Sequence, residues 1–590
     1  MCGVSGFFGK KKINFDVIKK TLYLMKKRGP DSQNYFHRKT NNLNIYLLHS
    51  RLEIIDPKSR SNQPFKFKNL IMIFNGEIYN YKELRNTLSS KYSFETNSDT
   101  EVLLKMYYEY GDKCFEYLEG MWAIAIYDLN KNRLLLSRDR FGEKPLHYLL
   151  KNEGIFFGSE IKFLKQIYGN KLNLNYDILK NYISEGYKGL DLNINSYYKE
   201  VQSVKPGEII YIKSNLHLAR KIFWKPKFNP NYKIKKKEVM EGAKHYLEKS
   251  LKIRLRSDKK IGFMLSGGVD SSYLASLAQK KFNQEIETYS IISDDIKYNE
   301  KKNIKEIIKN LRCKSYFVKP KTNFFFDLKT LIKYHEAPIS TISYLIHSYL
   351  PKKMKSNNIR VAISGTGADE IFSGYYHHFQ LFLKTIKNKK IFKKNLSSWR
   401  KYIRPLLRNE NLKDESIIFN NAIKKNPFKL IKTSYKYSKD ILRNKMMNEM
   451  FHEVVPVILK HDDNNCMMQS IENRSPYLDK DLFEFMNTVP TEYLIENGYQ
   501  KNILRSISKK ILLKNIRLDR KKVGFNASIE EMINVRDKKF IKKYIEKNEF
   551  IGDILDKKKL IDTLNHEQIN DELNKMLFAI ISSYTFLELN

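Results

Sequence analysis

The chain has 590 residues, 42% of them hydrophobic and 29% charged, with 107 Lys and Arg against 65 Asp and Glu for a formal net charge of +42. No uninterrupted apolar run approaches the roughly 18 residues of a membrane span, and MCGVSGFFGKKK has the wrong order of charged and apolar residues for a signal peptide. Cys2, Cys114, Cys313 and Cys466 are too few and too scattered for a disulfide framework or a C-x-x-C zinc site, so a reducing compartment, most simply the cytoplasm, is expected.

The chain begins MCGVSGFFG. A small penultimate residue lets the initiator Met be removed, leaving Cys2 with a thiol and a free α-amine. Their unperturbed pKa values of about 8.5 and about 8 let the two groups exchange a proton near neutrality without a His. A Cys at position 2 means little alone, but RGPDSQ (Arg28 to Gln33), HSRLEIID (His49 to Asp56), FNGEIYNY (Phe74 to Tyr81), SDTEV (Ser98 to Val102) and RDRFGEKPL (Arg138 to Leu146) follow in order. Together they resemble the N-terminal-nucleophile glutaminase half of class II glutamine amidotransferases. Freeing ammonia from a glutamine side chain needs a nucleophile, oxyanion donors and charges that hold the amino-acid end. Cys2 supplies the first, and Asn75 with the backbone N–H of Gly76 the second. Arg51 offers a planar fork for the α-carboxylate, Asp99 a carboxylate for the α-ammonium, and Glu77 lies in the same glutamine-binding segment. Singly, Arg51 or Asp99 reads as a surface ion pair; the ordered set behind Cys2 reverses that reading.

KKIGFMLSGGVDSSYLASLAQKK predicts a buried strand over Ile261 to Leu265, a glycine turn, and a helix from about Ser271. Such a turn presents unpaired backbone N–H groups and the positive end of a helix dipole to an anion. SGGVDSS resembles the pyrophosphate loop of ATP pyrophosphatases, which adenylate a substrate. IRVAISGTGADEIFSGYY repeats the logic with a strand from Arg360 to Ile363, a Ser364-Gly365 turn, and Asp369 with Glu370. Two such loops on neighbouring parallel strands could grip one nucleotide. Asp270 and Asp369 would then hold Mg²⁺, although Asp270 could instead be a carboxylate at a helix N-terminus.

Between and beyond these motifs the stretch from about 383 to 445 is dense in Lys and Arg. It reads as a helical insertion with a solvated basic face; with no RNA motif present, its Tyr and Phe suit helix packing better than base stacking. CMMQSIENRSPYLDKDL (Cys466 to Leu482), GYQKNILR (Gly498 to Arg505) and RKKVGF (Arg520 to Phe525) match the motif order of glutamine-hydrolysing asparagine synthetases, a resemblance that spans nearly the whole chain. It implies that Leu265 and Ile291 flank adenine and ribose, and that Ser266, Gly267, Gly268, Asp270, Ser271, Ser364 and Gly365 contact ATP. It also implies that Lys501, with Lys522 behind it, neutralises the departing pyrophosphate.

The expected fold is an α+β N-terminal-nucleophile sandwich of two antiparallel sheets over residues 2–215. A doubly wound α/β parallel-sheet domain with C-terminal helices follows over 235–590. The expected reaction is amidation of a carboxylate, aspartate first, through an acyl-adenylate, with ATP, Mg²⁺ and glutamine and no nucleic acid or membrane partner; a homodimer is compatible. Thr366 departs from the resemblance, standing where an acid or amide is common and where an acid assists adenylate formation. Asn464 replaces a common Arg, Ile292 a common Gly, and Tyr334 to Tyr349 aligns loosely, with Glu336 retained. These departures keep a sugar acid open as the acceptor. Outside the enzyme class, a basic RNA-binding protein and a degenerate binding protein are the alternatives.

Overall fold

The strand Gly3–Gly9 is buried along its whole length, as its apolar run GVSGFFG predicts for a strand covered on both faces. In the computed structural model it pairs antiparallel with Leu43–Arg51 on one side and Gly154–Gly158 on the other. A Cβ on Gly6 would meet Phe157 Cζ and the Tyr46 carbonyl oxygen at 2.4 Å, so only glycine allows this spacing. The described residues are 2–40, 42–193, 195–293, 299–320, 323–407, 413–414, 435–522, 528–566 and 569–590.

The first sheet runs Gln202–Ser203, His147–Lys151, Gly154–Gly158, Gly3–Gly9, Leu43–Arg51, Ser32–Thr40. The second runs Leu218–Ile222, Glu208–Ile212, Arg133–Arg138, Gly120–Asp128, Leu70–Ile78, Phe65–Phe67, again antiparallel between neighbours. Val4, Phe8, Leu47, Ile73, Ala125 and Phe157 belong to the apolar cluster that joins them. The strand Leu218–Ile222 pairs with Glu208–Ile212, so the sandwich runs past the expected limit at residue 215.

The third sheet is parallel throughout, in the order Lys314–Val318, Glu287–Ile291, Ile261–Met264, Val361–Ile363, Glu472–Arg474. From Ile261–Met264 the chain builds outward on one side and then returns to build on the other. The order therefore reverses between Ile261–Met264 and Val361–Ile363, where open α/β sheets form a ligand crevice at the carboxyl ends of their strands. The helix after the first of these strands is Val269–Phe282, with Gly268 as the residue before it. It starts two residues ahead of the sequence expectation because the glycine turn is tighter than a loop read to Ser271.

Of the basic stretch, 408–412 and 415–434 lie outside the described residues. The helix Lys389–Tyr402 is solvated on its basic face and buries Leu396 and Trp399, as a packed amphipathic insertion should. Among the described residues no helix is long and apolar enough to cross a membrane.

The two halves share one interior. Leu577, Phe578 and Ile581 of the C-terminal helix Asp571–Glu588 belong to the same apolar cluster as Leu179, Tyr182 and Ile183 of the helix Tyr176–Glu185. Each such side chain contributes about 1.5–3 kcal/mol on burial. An exposed pair such as Lys180–Asp553 adds about 0–1 kcal/mol, so apolar burial rather than surface charge joins the halves.

Buried polar contacts also cross the seam, among them a network around Arg28. The Arg28 guanidinium, fully buried, donates from NH1 to Asp463 Oδ2 at 2.7 Å and to Glu160 Oε1 at 2.9 Å. Its NH2 reaches Asp463 Oδ1 at 3.3 Å and its Nε donates to the Cys2 carbonyl at 3.1 Å. Burial opposes the Arg28 charge, but Asp463 and Glu160 more than offset it and hold the group protonated. Removing one member of such a pair strands the other. Asp463→Ala is therefore expected to cost about 3–5 kcal/mol, read as a lowered denaturant midpoint; a loss below about 1 kcal/mol would show that the pair is not structural.

Candidate functional site

Cys2 stands at the start of the first central strand and is 8% exposed. Burial pushes its thiol above the ordinary value, while positive charge nearby, Arg51 included, works the other way. Its backbone nitrogen, the future α-amine once Met1 is gone, donates to Asn75 Oδ1 at 3.0 Å. Asn75 lies on Leu70–Ile78 of the facing sheet, so the stacking of the sheets brings the two together. Asn75 Nδ2 is buried with no hydrogen-bond partner among the described residues. An unmet buried donor costs about 1–3 kcal/mol, and beside a thiol it is set to meet an acceptor that arrives with a ligand. Next to it, a Cβ on Gly76 would lie 2.0 Å from the Met121 carbonyl oxygen, so position 76 accepts only glycine.

Cys2 and Gly76 line a small cleft together with Arg51, Glu77 and Asp99, and Asn75 joins them through its bond to the Cys2 nitrogen. Asp99 opens the helix Asp99–Tyr110 behind the Ser98 cap, and its Oδ2 accepts from Ile78 N at 2.9 Å. Burial raises its carboxyl to about 6. Glu77 is pushed up by burial and by Asp99, against the pull of Arg474. Arg51 borders the cleft, but its fork is largely taken up locally. NH2 donates to the Ile55 and Asp56 carbonyls, and NH1 to the Lys58 carbonyl and to Asn62 Oδ1. It braces the loop that walls the cleft.

Glu472, from the last strand of the parallel sheet, lines the same cleft. Burial opposes its charge, and positive charge that includes Arg474 keeps it ionised. Arg474 Nε donates to Glu472 Oε1 at 2.7 Å, and its NH2 lies 3.5 Å from Glu77 Oε2. Sequence reasoning missed Glu472. The only signal was its place in the CMMQSIENRSPYLDKDL segment, quoted for motif order alone.

The second centre lies at the switch point of the parallel sheet. In the first loop Ser266 N donates to Ser271 Oγ and Gly268 N to Ser266 Oγ, at 3.0 and 3.3 Å. These bonds fold SGGVDSS over the N-terminus of its helix. Gly267 packs so closely that a Cβ would meet Asn303 Cβ and Glu300 Cβ at 2.9 Å. The second loop faces the first, since a Cβ on Gly365 would lie 3.3 Å from Asp270 Cβ. Ile291 ends the neighbouring strand. The Leu265 side chain is fully buried in the core, so only its backbone can reach a nucleotide.

Lys501 joins these parts, with Nζ 2.5 Å from Asp270 Oδ2 and 2.6 Å from Asp369 Oδ1. Lys522 Nζ lies 2.6 Å from Asp369 Oδ2. Burial opposes the Asp369 charge, but the two ammonium groups hold its carboxyl well below the usual range. Asp270 Oδ1 is buried and lacks a hydrogen-bond partner among the described residues, an oxygen suited to a hard cation. Val523, Gly524 and Phe525 of the RKKVGF motif lie outside the described residues. Glu370, the partner of Asp369 in the sequence motif, accepts from Tyr375 OH at 2.5 Å. Burial and Asp369 push Glu370 up to about 8.

Thr366 Oγ1 lies 3.1 Å from Ser364 Oγ and donates to Asp462 Oδ2 at 3.3 Å. Asp462 belongs to the helix Val455–Met467 and was not singled out in the sequence, which offers no spacing that relates it to a loop 96 residues away.

Comparison with known proteins divides the chain into the same two halves. Residues 1–224 match the family described as glutamine amidotransferase domain, and residues 242–585 match the family described as asparagine synthase. Asparagine synthetase [glutamine-hydrolyzing] 1 of Bacillus subtilis is 29% identical over 587 residues, covering 93% of this chain and 90% of that protein. Asparagine synthetase [glutamine-hydrolyzing] 3 of the same organism is 26% identical over 606 residues, covering 96% and 94%. With more than half of its length in the second match, the chain belongs to the asparagine synthase family of glutamine-hydrolysing, ATP-dependent amidating ligases.

Proposed function

We propose that the acceptor is aspartate and that the two clefts divide the reaction as follows. The reading is supported above all by the placement of the two glycine loops on adjacent strands, Phe263 pairing with Ile363 at the switch point, with Lys501 between their carboxylates. In the first cleft, glutamine lies with its α-ammonium at Asp99 and its side-chain amide at Cys2. The α-amine takes the thiol proton, and the sulfur attacks the amide carbon. Asn75 Nδ2 and the Gly76 N–H receive the developing oxyanion. Ammonia departs and a glutamyl thioester remains for water to cleave. Arg51 holds the wall of this cleft and leaves at most the edge of its fork for the α-carboxylate.

In the second cleft, the first loop and its helix N-terminus hold the triphosphate of ATP, and Ser364 and Gly365 close over it. Asp270 and Asp369 fit Mg²⁺, which when bound neutralises phosphate charge. Lys501, with Lys522 behind it, turns its charge toward the departing pyrophosphate. The β-carboxylate of aspartate is adenylated, and ammonia displaces AMP to give asparagine. The direct test supplies ATP, Mg²⁺, glutamine and aspartate and follows pyrophosphate and asparagine together. Equal yields support aspartate; no pyrophosphate with aspartate, but release with a uronic acid, refutes it.

Two outcomes follow for the first cleft. Cys2→Ala is expected to abolish glutamine-dependent synthesis while synthesis from added ammonium stays within about twofold, since only the thiol is lost; parallel loss of both would mean that the clefts are not separable. For pH, the Asp99 carboxyl is raised to about 6 by burial, so it is ionised above that value and neutral below. The glutaminase kcat/KM should then fall about tenfold per pH unit below 6, and Asp99→Asn should be low and lack this step. A parent profile flat from pH 7 to 5 would show that Asp99 does not hold the substrate.

A further inference from the structure

Amidation of an acyl-adenylate requires a base. The ammonia nitrogen gives its lone pair to the acyl carbon, and the carbonyl π pair moves to oxygen. One proton must leave the cationic nitrogen before the carbonyl reforms and AMP departs with the C–O bonding pair. The net change is ammonia plus acyl-adenylate to amide, AMP and one proton.

Most carboxylates around the second glycine loop are already engaged. Asp369 is held by Lys501 and Lys522, Glu370 by the Tyr375 hydroxyl, and Glu449 by His377 and His378 at 2.7 and 2.6 Å. Asp462 differs. It is partly exposed, has no cation within ion-pair distance among the described residues, and accepts from the Thr366 hydroxyl of the loop itself. Burial, with Asp463 adding to it, raises its carboxyl to about 7, close to where a base works best.

Its position points the same way. The next residue, Asp463, grips Arg28, and Arg28 grips the Cys2 carbonyl. One turn of the helix Val455–Met467 therefore faces the thiol cleft through Asp463 and the nucleotide loop through Asp462. This turn is therefore an element that the two centres share.

Resting on the reading of Ser364 to Thr366 as the adenylate's loop, we propose that Asp462 is the base that takes the proton from ammonia as it attacks the acyl-adenylate. Thr366 positions that carboxyl through its hydroxyl. The loop thus borrows from a neighbouring helix the acid it does not carry itself.

The test is a single turnover with ATP, Mg²⁺, aspartate and ammonium, measuring the pyrophosphate burst and the asparagine formed. In Asp462→Asn the amide formed per pyrophosphate released should fall on the order of a hundredfold, with the unused adenylate going to water. Thr366→Val, which leaves the carboxyl but removes its anchor, should fall less, about three- to tenfold. Parent-level amide per pyrophosphate in Asp462→Asn overturns the proposal. So does loss of the burst in that variant, which would put Asp462 in adenylation or in folding instead. A parent that shows no burst with aspartate refutes the acceptor and nucleotide reading on which the proposal rests, and the proposal with it.

Discussion

The Arg28 guanidinium is the point on which the molecule turns. Fully buried, it ties the Cys2 backbone in the first sandwich to Asp463 on a helix of the second half, with Glu160 completing its charge balance. A buried pair of this kind adds little net stability over a well-packed apolar core, but it penalises any arrangement in which one partner is missing. It therefore specifies how the halves meet. Apolar burial supplies the adhesion; Arg28 and Asp463 supply the register. Lys144, 3.7 Å from Asp463 Oδ1, adds to the constraint.

That register gives each cleft a residue from outside its own sheet layer. The thiol cleft receives Glu472 from the parallel sheet, locked by Arg474, which also reaches Glu77. The nucleotide loop receives Asp462 from the helix that Arg28 holds. The thiol cleft is not complete within one half, and the helix that brings Asp462 to the nucleotide loop is held by Arg28 of the other, so moving one half against the other disturbs both.

What was legible in the sequence depended on distance along the chain. Gly267, Gly268 and Asp270 stand out because a strand, a turn and a helix N-terminus are consecutive, and the physics of anion binding acts within those few residues. Cys2, Asn75, Gly76 and Asp99 were legible as an ordered set, and the stacking of two sheets brings Cys2, Gly76 and Asp99 to one cleft with Asn75 bonded to the Cys2 nitrogen. Glu472 and Asp462 were not, because their contacts cross from other elements and leave no periodic trace. The Arg51 fork was read as free, whereas the carbonyls of Ile55, Asp56 and Lys58 take it up. A buried Arg next to a turn satisfies backbone carbonyls first, and only the folded loop reveals that. Sheet order was legible only in part. Two glycine turns announce parallel strands, but the reversal between Ile261–Met264 and Val361–Ile363 is a tertiary fact.

The central claim of the proposed reaction is that nitrogen released at Cys2 is the nitrogen used at the second glycine loop, ahead of ammonia from solution. Isotope competition tests it most directly. The protein is supplied with ATP, Mg²⁺, aspartate and glutamine labelled with ¹⁵N at the side-chain amide, in the presence of an excess of unlabelled ammonium. The account predicts that, while glutamine is turned over, the new amide carries the label well beyond its share of the ammonia in solution. An amide labelled only in proportion to the mixed pool would contradict it.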